Sequence, residues 1–277
     1  MDELELKPSS AALGVEVRGV ELSGALDSEI ADRLRAAFVE HVVLVFRDQS
    51  LTPEGLLAFT RLFGEPMAHP LNTRRHLDGF PDILVLENRP GLPSARNDYW
   101  HSDISHLERP PTATLLYART VPEGRGDTMY CNMRRAYEAL SAGMKDAIAN
   151  LRAWHSPEAT IRRNNEEHND GLPIVDPPPP HLHPVVRTHP DTGNRALYIN
   201  PHFTIHFEDM TREESRTLME PLIAQATRPE NIYRHHWREG DLVMWDNRSA
   251  MHYAVRDYDE TMPRLMWRTT TAGEVPA

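Results

Sequence analysis

Cysteine is nearly absent from this sequence, because Cys131 is the only one among 277 residues. An intramolecular disulfide is therefore excluded, and a reducing compartment is indicated. Long apolar runs are also missing, and none approaches the ~20 residues that a membrane-spanning helix needs. The first five residues, from Met1 to Glu5, are acidic and lack the basic and apolar regions of a signal peptide. We therefore expect a cytoplasmic protein.

Positive charge is in short supply. The 30 lysine and arginine residues are outnumbered by 41 aspartate and glutamate residues, which gives a formal net charge of −11. This sign disfavours nucleic acid and anionic membranes as the main partners. A few buried arginines can still bind a small anionic substrate. The 40% apolar content suffices for a full core, and we expect residues 1–277 to form one domain.

The run from Trp100 to Asp103 gives the first sign of chemistry. If it is a β-strand, its period of two places His101 and Asp103 on one face. One imidazole and one carboxylate are two of the three ligands in the two-His-one-carboxylate triad of non-haem Fe(II) oxygenases. His252 is the candidate third ligand. A His-x-Asp pair alone is more often a surface pair, so this interpretation depends on its companions.

Strand-like apolar runs occur at both ends of the chain, and no regular alternation of strands and helices predicts a parallel nucleotide-binding sheet. Helices are expected to begin near Ser28, at Thr52 and at Thr211, and one helix is expected from Met133 to Leu151. Together with a metal pair on a strand, the pattern predicts a mainly β fold with flanking helices, a jelly-roll or double-stranded β-helix barrel of the cupin kind.

The segment 155–184 has little periodicity and contains four consecutive prolines, 177–180. It is too long for an ordinary connection, so it is either a lid over a site or a disordered surface loop. Because a site is predicted nearby, we favour the lid.

Two arginines lie on a predicted strand that follows His252. Arg264 and Arg268 share one face of a predicted strand with Met266. Two guanidinium groups inside a barrel would be costly without anionic partners. A dicarboxylate cosubstrate would supply one partner, because the guanidinium fork binds a carboxylate through two parallel hydrogen bonds. The alternative is that both arginines are exposed on an edge strand.

These and longer motifs make the sequence resemble the Fe(II)- and 2-oxoglutarate-dependent dioxygenase family of taurine dioxygenase and the phenoxyacetate-degrading dioxygenases. The resemblance covers about residues 13–273 and implies an enzyme that uses Fe(II), 2-oxoglutarate and O₂. It implies that His101, Asp103 and His252 hold iron and that Thr128 and Arg264 bind the distal carboxylate of 2-oxoglutarate. It also suggests a homodimer or homotetramer. The matching motifs are 100–103, 126–128, 183–190 and 245–248, with His252, Arg264 and Arg268.

The substrate side of the resemblance is less uniform. Four residues stand where the taurine enzymes bind their substrate: His69, Asn97, Phe203 and Arg268. Asn72 replaces a tyrosine of those enzymes and Trp267 replaces a histidine, while 132–137 and 233–237 are more similar to the phenoxyacetate branch. The expected substrate is a small anion, either a taurine-like sulfonate or an aryloxyalkanoate or other carboxylate, and the choice stays open.

Two other functions fit the same ligands. A zinc metallohydrolase would use the triad to activate water, which leaves Arg264 and Thr128 unexplained and predicts activity without O₂ or 2-oxoglutarate. A non-catalytic cupin-like binding protein would form no succinate with any substrate.

The remaining histidines and the cysteine are expected to have no catalytic role. The pairs His181/His183, His202/His206 and His235/His236 have spacings that zinc could use, but no third ligand accompanies them, so we expect surface or loop residues. His155 and His189 are expected to be structural hydrogen-bonding residues, and Cys131 a packed small side chain.

Overall fold

The computed structural model describes residues 4–71, 75–90, 97–167 and 177–277, without the side chains of residues 164 and 167. The strands within these ranges are β1 (Glu5–Pro8), β2 (Val15–Arg18), β3 (Val43–Phe46), β4 (His76–Leu77), β5 (Phe80–Asn88), β6 (Ala113–Thr120), β7 (Thr128–Asn132), β8 (Arg152–His155), β9 (His181–Pro184), β10 (Val186–Thr188), β11 (Arg195–Leu197), β12 (Thr204–Phe207), β13 (Ile232–His235), β14 (Leu242–Asp246), β15 (Ala250–Ala254) and β16 (Arg264–Thr270). The helices are α1 (Ser28–His41), α2 (Pro53–Arg61), α3 (Met133–Glu138), α4 (Ala142–Ile148), α5 (Glu158–Glu167) and α6 (Arg212–Ala226).

Two sheets pack against each other around the candidate site. The larger sheet has the order β1-β2-β3-β14-β6-β16-β5-β4, and the smaller has the order β13-β7-β15. Val45 and Trp245 of the larger sheet meet Tyr130 and Ala250 of the smaller sheet in one buried cluster. Most pairings are antiparallel, while β2 pairs with β3 in parallel. The chain is thus mainly β with a few helices, which confirms the predicted jelly-roll fold class.

The pleat of the larger sheet separates two cores. In β3, Val43 and Val45 point toward the smaller sheet, whereas Leu44 and Phe46 pack in the cluster on the opposite face. Helices α1 and α2 cover that opposite face with Leu34, Phe38, Leu56 and Phe59. Each such side chain stabilises the fold by roughly 1.5–3 kcal/mol when it is fully buried. Because the helices cover the outer face of the larger sheet, the candidate site lies on its inner face, which points toward the smaller sheet.

The predicted helix starts at Thr52 and Thr211 are confirmed. The Thr52 hydroxyl accepts a hydrogen bond from the Gly55 amide at 3.1 Å, with Pro53 in the first helical position. Thr211 and Glu214 form a reciprocal capping box at the start of α6.

The single helix expected from Met133 to Leu151 is wrong, because the chain forms α3 and α4 there. The Ser141 hydroxyl accepts from the Met144 amide at 3.2 Å and so begins the second helix. The apolar period continues through the break, which is why sequence periodicity alone does not reveal it.

The segment 155–184 contains α5 and β9, and β9 joins β8 and β12 in a three-stranded sheet. Residues 168–176 and Asn72 lie outside the described residues. The expectations that the chain forms one domain and that segment 155–184 acts as a lid over the site both stay predictions. Among the described residues, no helix has the length and apolar character required to span a membrane.

Candidate metal centre and its surroundings

Three buried side chains converge where the two sheets meet. His101, Asp103 and His252 place one ligand atom each within 4.8 Å of one another. The Nε2 atoms of His101 and His252 each lie 3.7 Å from Oδ1 of Asp103, too far for hydrogen bonds. These separations place all three atoms within reach of one ion with bonds of roughly 2 Å, as imidazole and carboxylate ligands have to Zn²⁺.

The backbone that positions the triad differs from the sequence-based expectation. Residues 101–103 do not form a strand, because only His101 pairs, through an isolated bridge to His252. The two residues exchange backbone hydrogen bonds of 3.0 and 2.8 Å. The chain then turns at Ile104, whose φ is +48°. Asp103 therefore reaches the site through a turn and not through the period of a strand.

Both histidines of the triad are prepared to act as ligands. Nδ1 of His101 lies 2.9 Å from the Tyr99 carbonyl, which can only accept, so Nδ1 carries the proton and Nε2 keeps its lone pair. Burial lowers the pKa of His101 and lowers the pKa of His252 well below its ordinary value. Both rings are therefore neutral, the form that binds a metal.

Asp103 is held in its ionised form by its neighbours. Burial alone would raise its pKa, but the positive charge of Arg268 lowers the pKa below its ordinary value. Nη2 of Arg268 lies 2.9 Å from Oδ1 of Asp103. The Thr114 hydroxyl donates to Oδ2 at 2.7 Å, and the Asn247 amide donates to that hydroxyl at 2.9 Å. These contacts fix the orientation of the carboxylate.

The sequence Trp245 to Arg248 is a structural support for this centre. Oδ1 of Asn247 accepts from the Trp245 indole at 3.1 Å and from the Asp103 amide at 3.3 Å. Asp246 binds Arg248 and also Nε2 of His189, at 2.9 Å each. The predicted structural role of His189 is confirmed.

Arg264 lies in a neighbouring cavity that is also lined by Thr128, His252 and Arg268. Its side chain is buried, its Nε has no hydrogen-bond partner, and no carboxylate among the described residues forms an ion pair with it. Burial lowers the pKa of Arg264. The alternative of exposed arginines on an edge strand is wrong, since β16 lies inside the sheet between β6 and β5. A buried guanidinium of this kind calls for an anionic ligand.

Thr128 is placed to assist that ligand. Its hydroxyl accepts a hydrogen bond of 3.0 Å from the Trp237 indole, which leaves the hydroxyl proton available as a donor. Thr128 is 3% exposed, so this donor faces the interior. The donor set therefore fits a carboxylate between Thr128 and Arg264, next to a site suited to a divalent metal.

The four predicted substrate residues surround the centre at different distances. The Phe203 ring lies 6.4 Å from the His101 ring, and Arg268 contacts Asp103. Nδ1 of His69 accepts from the Leu71 amide at 3.2 Å, which places the ring proton on Nε2. Asn97 lines the cavity that holds Arg264, and so lies toward the candidate cosubstrate side.

Sequence reasoning missed two aromatic neighbours of His101. The Tyr99 ring lies 4.8 Å from His101 and stacks on His202 at 3.7 Å. Nε2 of His202 lies 2.7 Å from the Thr160 hydroxyl of α5. The spacing of His202 and His206 gave no signal, because these contacts join distant parts of the chain.

The remaining histidines give mixed outcomes. His183 and His235, expected at the surface or in loops, are 2% and 0% exposed, so that expectation is wrong for them. His155 lies 2.9 Å from the Ser105 hydroxyl, which confirms its structural role. Cys131 is buried, and burial raises the pKa of its thiol to about 12, which agrees with a packed, unreactive residue.

Comparisons with known proteins agree with this arrangement. A family model described as "Taurine catabolism dioxygenase TauD, TfdA family" matches residues 5–270. An alpha-ketoglutarate-dependent sulfate ester dioxygenase of Pseudomonas putida is 36% identical over 287 residues, covering 99% of this chain and 91% of the relative. The (S)-phenoxypropionate/alpha-ketoglutarate-dioxygenase of Sphingobium herbicidovorans is 33% identical, covering 98% and 95%. A crystal structure of a taurine dioxygenase from Burkholderia xenovorans superposes with a TM-score of 0.84 at 34% identity, covering 99% and 92%. The chain therefore belongs to the TauD, TfdA family of dioxygenases.

Proposed function

We propose that this chain is an Fe(II)- and 2-oxoglutarate-dependent dioxygenase that hydroxylates a small anionic substrate and releases succinate and CO₂. One observation carries the proposal. A buried triad of two neutral histidines and one ionised aspartate lies beside Arg264, a buried guanidinium without a carboxylate partner among the described residues. A keto acid with a distal carboxylate matches both parts of this arrangement, because its keto-acid end can bind a metal held by the triad and its distal carboxylate can pair with Arg264.

His101, Asp103 and His252 would hold the iron, and Thr128 and Arg264 would bind the distal carboxylate of 2-oxoglutarate. When bound, Fe(II) with 2-oxoglutarate supplies the activation of O₂ for insertion of oxygen into a C–H bond. The protein orients the metal ligands through the contacts of Tyr99 and Thr114. It also surrounds the site with buried side chains, which limits access of water.

Arg268 would bind the anionic group of the substrate, assisted by His69, Asn97 and Phe203. Arg268 is 8% exposed, and its Nε has no hydrogen-bond partner in the described chain. An anion held there directs the neighbouring carbon toward the triad, and such positioning can dominate selectivity. Where that carbon bears a sulfonate or an ether oxygen, its hydroxylated product collapses to an aldehyde with loss of sulfite or an alcohol.

The relatives support a small anion as the substrate class. Their names specify a sulfate ester, a phenoxypropionate and taurine, which all carry an anionic group. A metallohydrolase is disfavoured, because water activation at the triad needs neither Arg264 nor Thr128.

We also propose that segment 155–184 is a lid. Two contacts support this role for α5, its described helix: Thr160 binds His202, and the guanidinium of Arg163 lies 4.7 Å from the Tyr99 ring. Through Tyr99 and His202, α5 contacts the surroundings of His101. Limited proteolysis tests the lid, since cleavage within 155–184 should slow when 2-oxoglutarate and substrate are present together.

The proposal also includes the oligomeric state and the compartment: the protein forms a homodimer or homotetramer and acts in the cytoplasm. The single buried cysteine supports a reducing compartment. Light scattering after size-exclusion chromatography tests the assembly, and a monomeric mass would contradict it.

The experiment that tests the activity is a coupled assay for succinate. With Fe(II), O₂ and 2-oxoglutarate, addition of an alkyl sulfate, an alkanesulfonate or an aryloxyalkanoate should increase succinate formation. Product formation in the absence of O₂ and 2-oxoglutarate would favour a hydrolase instead. If no substrate in any of the three classes stimulates succinate formation, the result would favour a binding protein.

A further inference from the structure

The wall beside Phe203 holds a histidine, His106, that the proposed function does not use. Its side chain is 1% exposed, and neither Nδ1 nor Nε2 has a hydrogen-bond partner in the described parts of the chain. Leaving a buried polar group unpaired is unfavourable, so each such group in a native structure needs an explanation. A polar ring without a partner inside the protein indicates that a ligand supplies the partner.

His106 belongs to the wall that carries the substrate residues. Its ring centroid lies 5.0 Å from that of Phe203, which in turn lies 6.4 Å from the His101 ring. The His202 ring lies 4.6 Å from the Phe203 ring, so His106 and His202 are both neighbours of Phe203. The Phe203 ring thus has the ring of the candidate ligand His101 and the ring of His106 as neighbours.

The backbone at His106 is held rigidly. The preceding residue, Ser105, lies 2.9 Å from His155 and accepts from the Asn200 amide at 3.0 Å. Nδ1 of His181 donates to the carbonyl of His106 at 2.8 Å. Contacts of this kind hold a side chain in place for a ligand before binding, which reduces the entropy that binding costs.

His106 and Arg268 have different recorded neighbours: the His106 ring lies 5.0 Å from the Phe203 ring, whereas Nη2 of Arg268 lies 2.9 Å from Oδ1 of Asp103. The pKa of His69 is lowered to about 3 by burial and then by Arg268, with a smaller contribution from His106. The pKa of His106 is lowered to about 3 by burial and by His181 and His183. The neutral imidazole of His106 offers one donor and one acceptor, which suits an uncharged polar group better than the anionic group assigned to Arg268.

We propose that His106 hydrogen-bonds a second polar group of the substrate, on the part of the molecule that lies away from the anion held by Arg268. The inference rests on the proposed function and narrows its substrate class. The substrate is a small anion that carries a hydroxyl, an ether or another hydrogen-bonding group on its carbon skeleton, and plain alkyl anions bind more weakly.

The test compares matched probes on the anaerobic protein loaded with Fe(II) and 2-oxoglutarate. Each probe pair consists of an ω-hydroxyalkanesulfonate and the alkanesulfonate with methyl in place of the hydroxyl, over a series of chain lengths. The dissociation constant is read from the perturbation of the visible charge-transfer band, without turnover. The wild type is compared with H106F, which keeps a ring of similar shape, and with H106Q, which keeps hydrogen-bonding groups.

At one chain length or more, the wild type should bind the hydroxylated probe roughly tenfold more tightly than its methyl partner. H106F should lose this preference, and H106Q should keep part of it. The affinity for 2-oxoglutarate should stay close to that of the wild type, and the melting temperature of H106F should not fall, because the variant removes a buried polar ring that has no partner in the described parts of the chain. If H106F does not fold, H106L takes its place.

Two results overturn the inference. One is a wild type that shows no preference at any length or binds no probe in the series, and the other is the same preference in H106F. The outcome for the proposed function is separate. Failure of the wild type to form a charge-transfer band with Fe(II) and 2-oxoglutarate contradicts the cofactor assignment itself, whereas a band that both members of every pair perturb alike contradicts only the role of His106.

Discussion

Nη2 of Arg268 lies 2.9 Å from Oδ1 of Asp103, so the guanidinium assigned to substrate contacts the carboxylate assigned to metal. Arg268 is also the neighbour that lowers the pKa of Asp103 most. Under these proposed assignments, substrate binding and metal binding are coupled through one side chain.

The first prediction concerns R268A. Removing a buried charge that pairs with an anion should weaken substrate binding by roughly 2–5 kcal/mol, which is about thirtyfold or more in KM. The affinity for 2-oxoglutarate without substrate should change little, because Arg264 carries that role. Steady-state kinetics with the best substrate measures the change, and R268K, which keeps the charge, should lose less. An unchanged KM in R268A would remove Arg268 from the substrate site.

The second prediction concerns the support of Asp103. Thr114 donates to Oδ2 of Asp103 and accepts from Asn247. In T114V the carboxylate loses this contact, and we expect the affinity for Fe(II) to fall by about 10- to 100-fold. Anaerobic titration with Fe(II) measures the effect. T188V, at an exposed threonine of β10, serves as the matched control and should bind iron normally. Equal affinities in the two variants would show that Thr114 does not orient the ligand.

The third prediction is that replacing Arg264 stabilises the fold and abolishes 2-oxoglutarate binding. Its guanidinium is buried without a carboxylate partner among the described residues. R264M removes an uncompensated buried charge, so it should raise the free energy of unfolding without ligands, by about 1–3 kcal/mol. The same change should abolish saturation by 2-oxoglutarate. Denaturant unfolding and 2-oxoglutarate titration measure the two effects. R119A, on an exposed arginine, should leave 2-oxoglutarate affinity unchanged. A destabilised R264M that still binds 2-oxoglutarate would contradict the assignment.

The fourth prediction concerns acid stability without metal. Burial lowers the pKa of His106 to about 3, whereas the unfolded chain has a pKa near 6.5. Below about pH 6.5 His106 binds a proton in the unfolded state but not in the folded state. The free energy of unfolding therefore falls as the pH falls toward the folded-state pKa of His106. From about pH 7.5 to about pH 5.5, His106 alone should cost about 1.4 kcal/mol.

Unfolding of wild type and H106Q across this pH range checks the slope. Between about pH 7.5 and about pH 5.5, the free energy of unfolding should fall less in H106Q than in the wild type, and the difference should be about 1.4 kcal/mol. Parallel curves for the two proteins would mean that His106 titrates normally in the folded state.

Local sequence patterns predicted several features of the fold correctly. The cap at Thr52 and the capping box at Thr211 follow from neighbours in the sequence, and both are present. The period of a strand placed Arg264 and Arg268 on one face, and the structure shows that this face is buried. These features depend on short-range geometry, which sequence records directly.

The features that sequence reasoning missed depend on contacts between distant residues. The residues 101–103 converge on His252 through a single bridge and a positive φ at Ile104, neither of which has a residue pattern of its own. His106 and His202 lie far apart in the chain, and both rings are neighbours of Phe203. Sequence motifs therefore pointed to the candidate ligands but not to the contacts of these two histidines.

The central claim is that His101, Asp103 and His252 bind Fe(II) next to a 2-oxoglutarate held by Arg264. The most direct measurement is the visible absorption spectrum after anaerobic addition of Fe(II) and 2-oxoglutarate to the wild type, H252A and the control H41A. A charge-transfer band should appear in the wild type and in H41A and should be absent in H252A. A band of equal strength in H252A, or none in the wild type, would contradict the account.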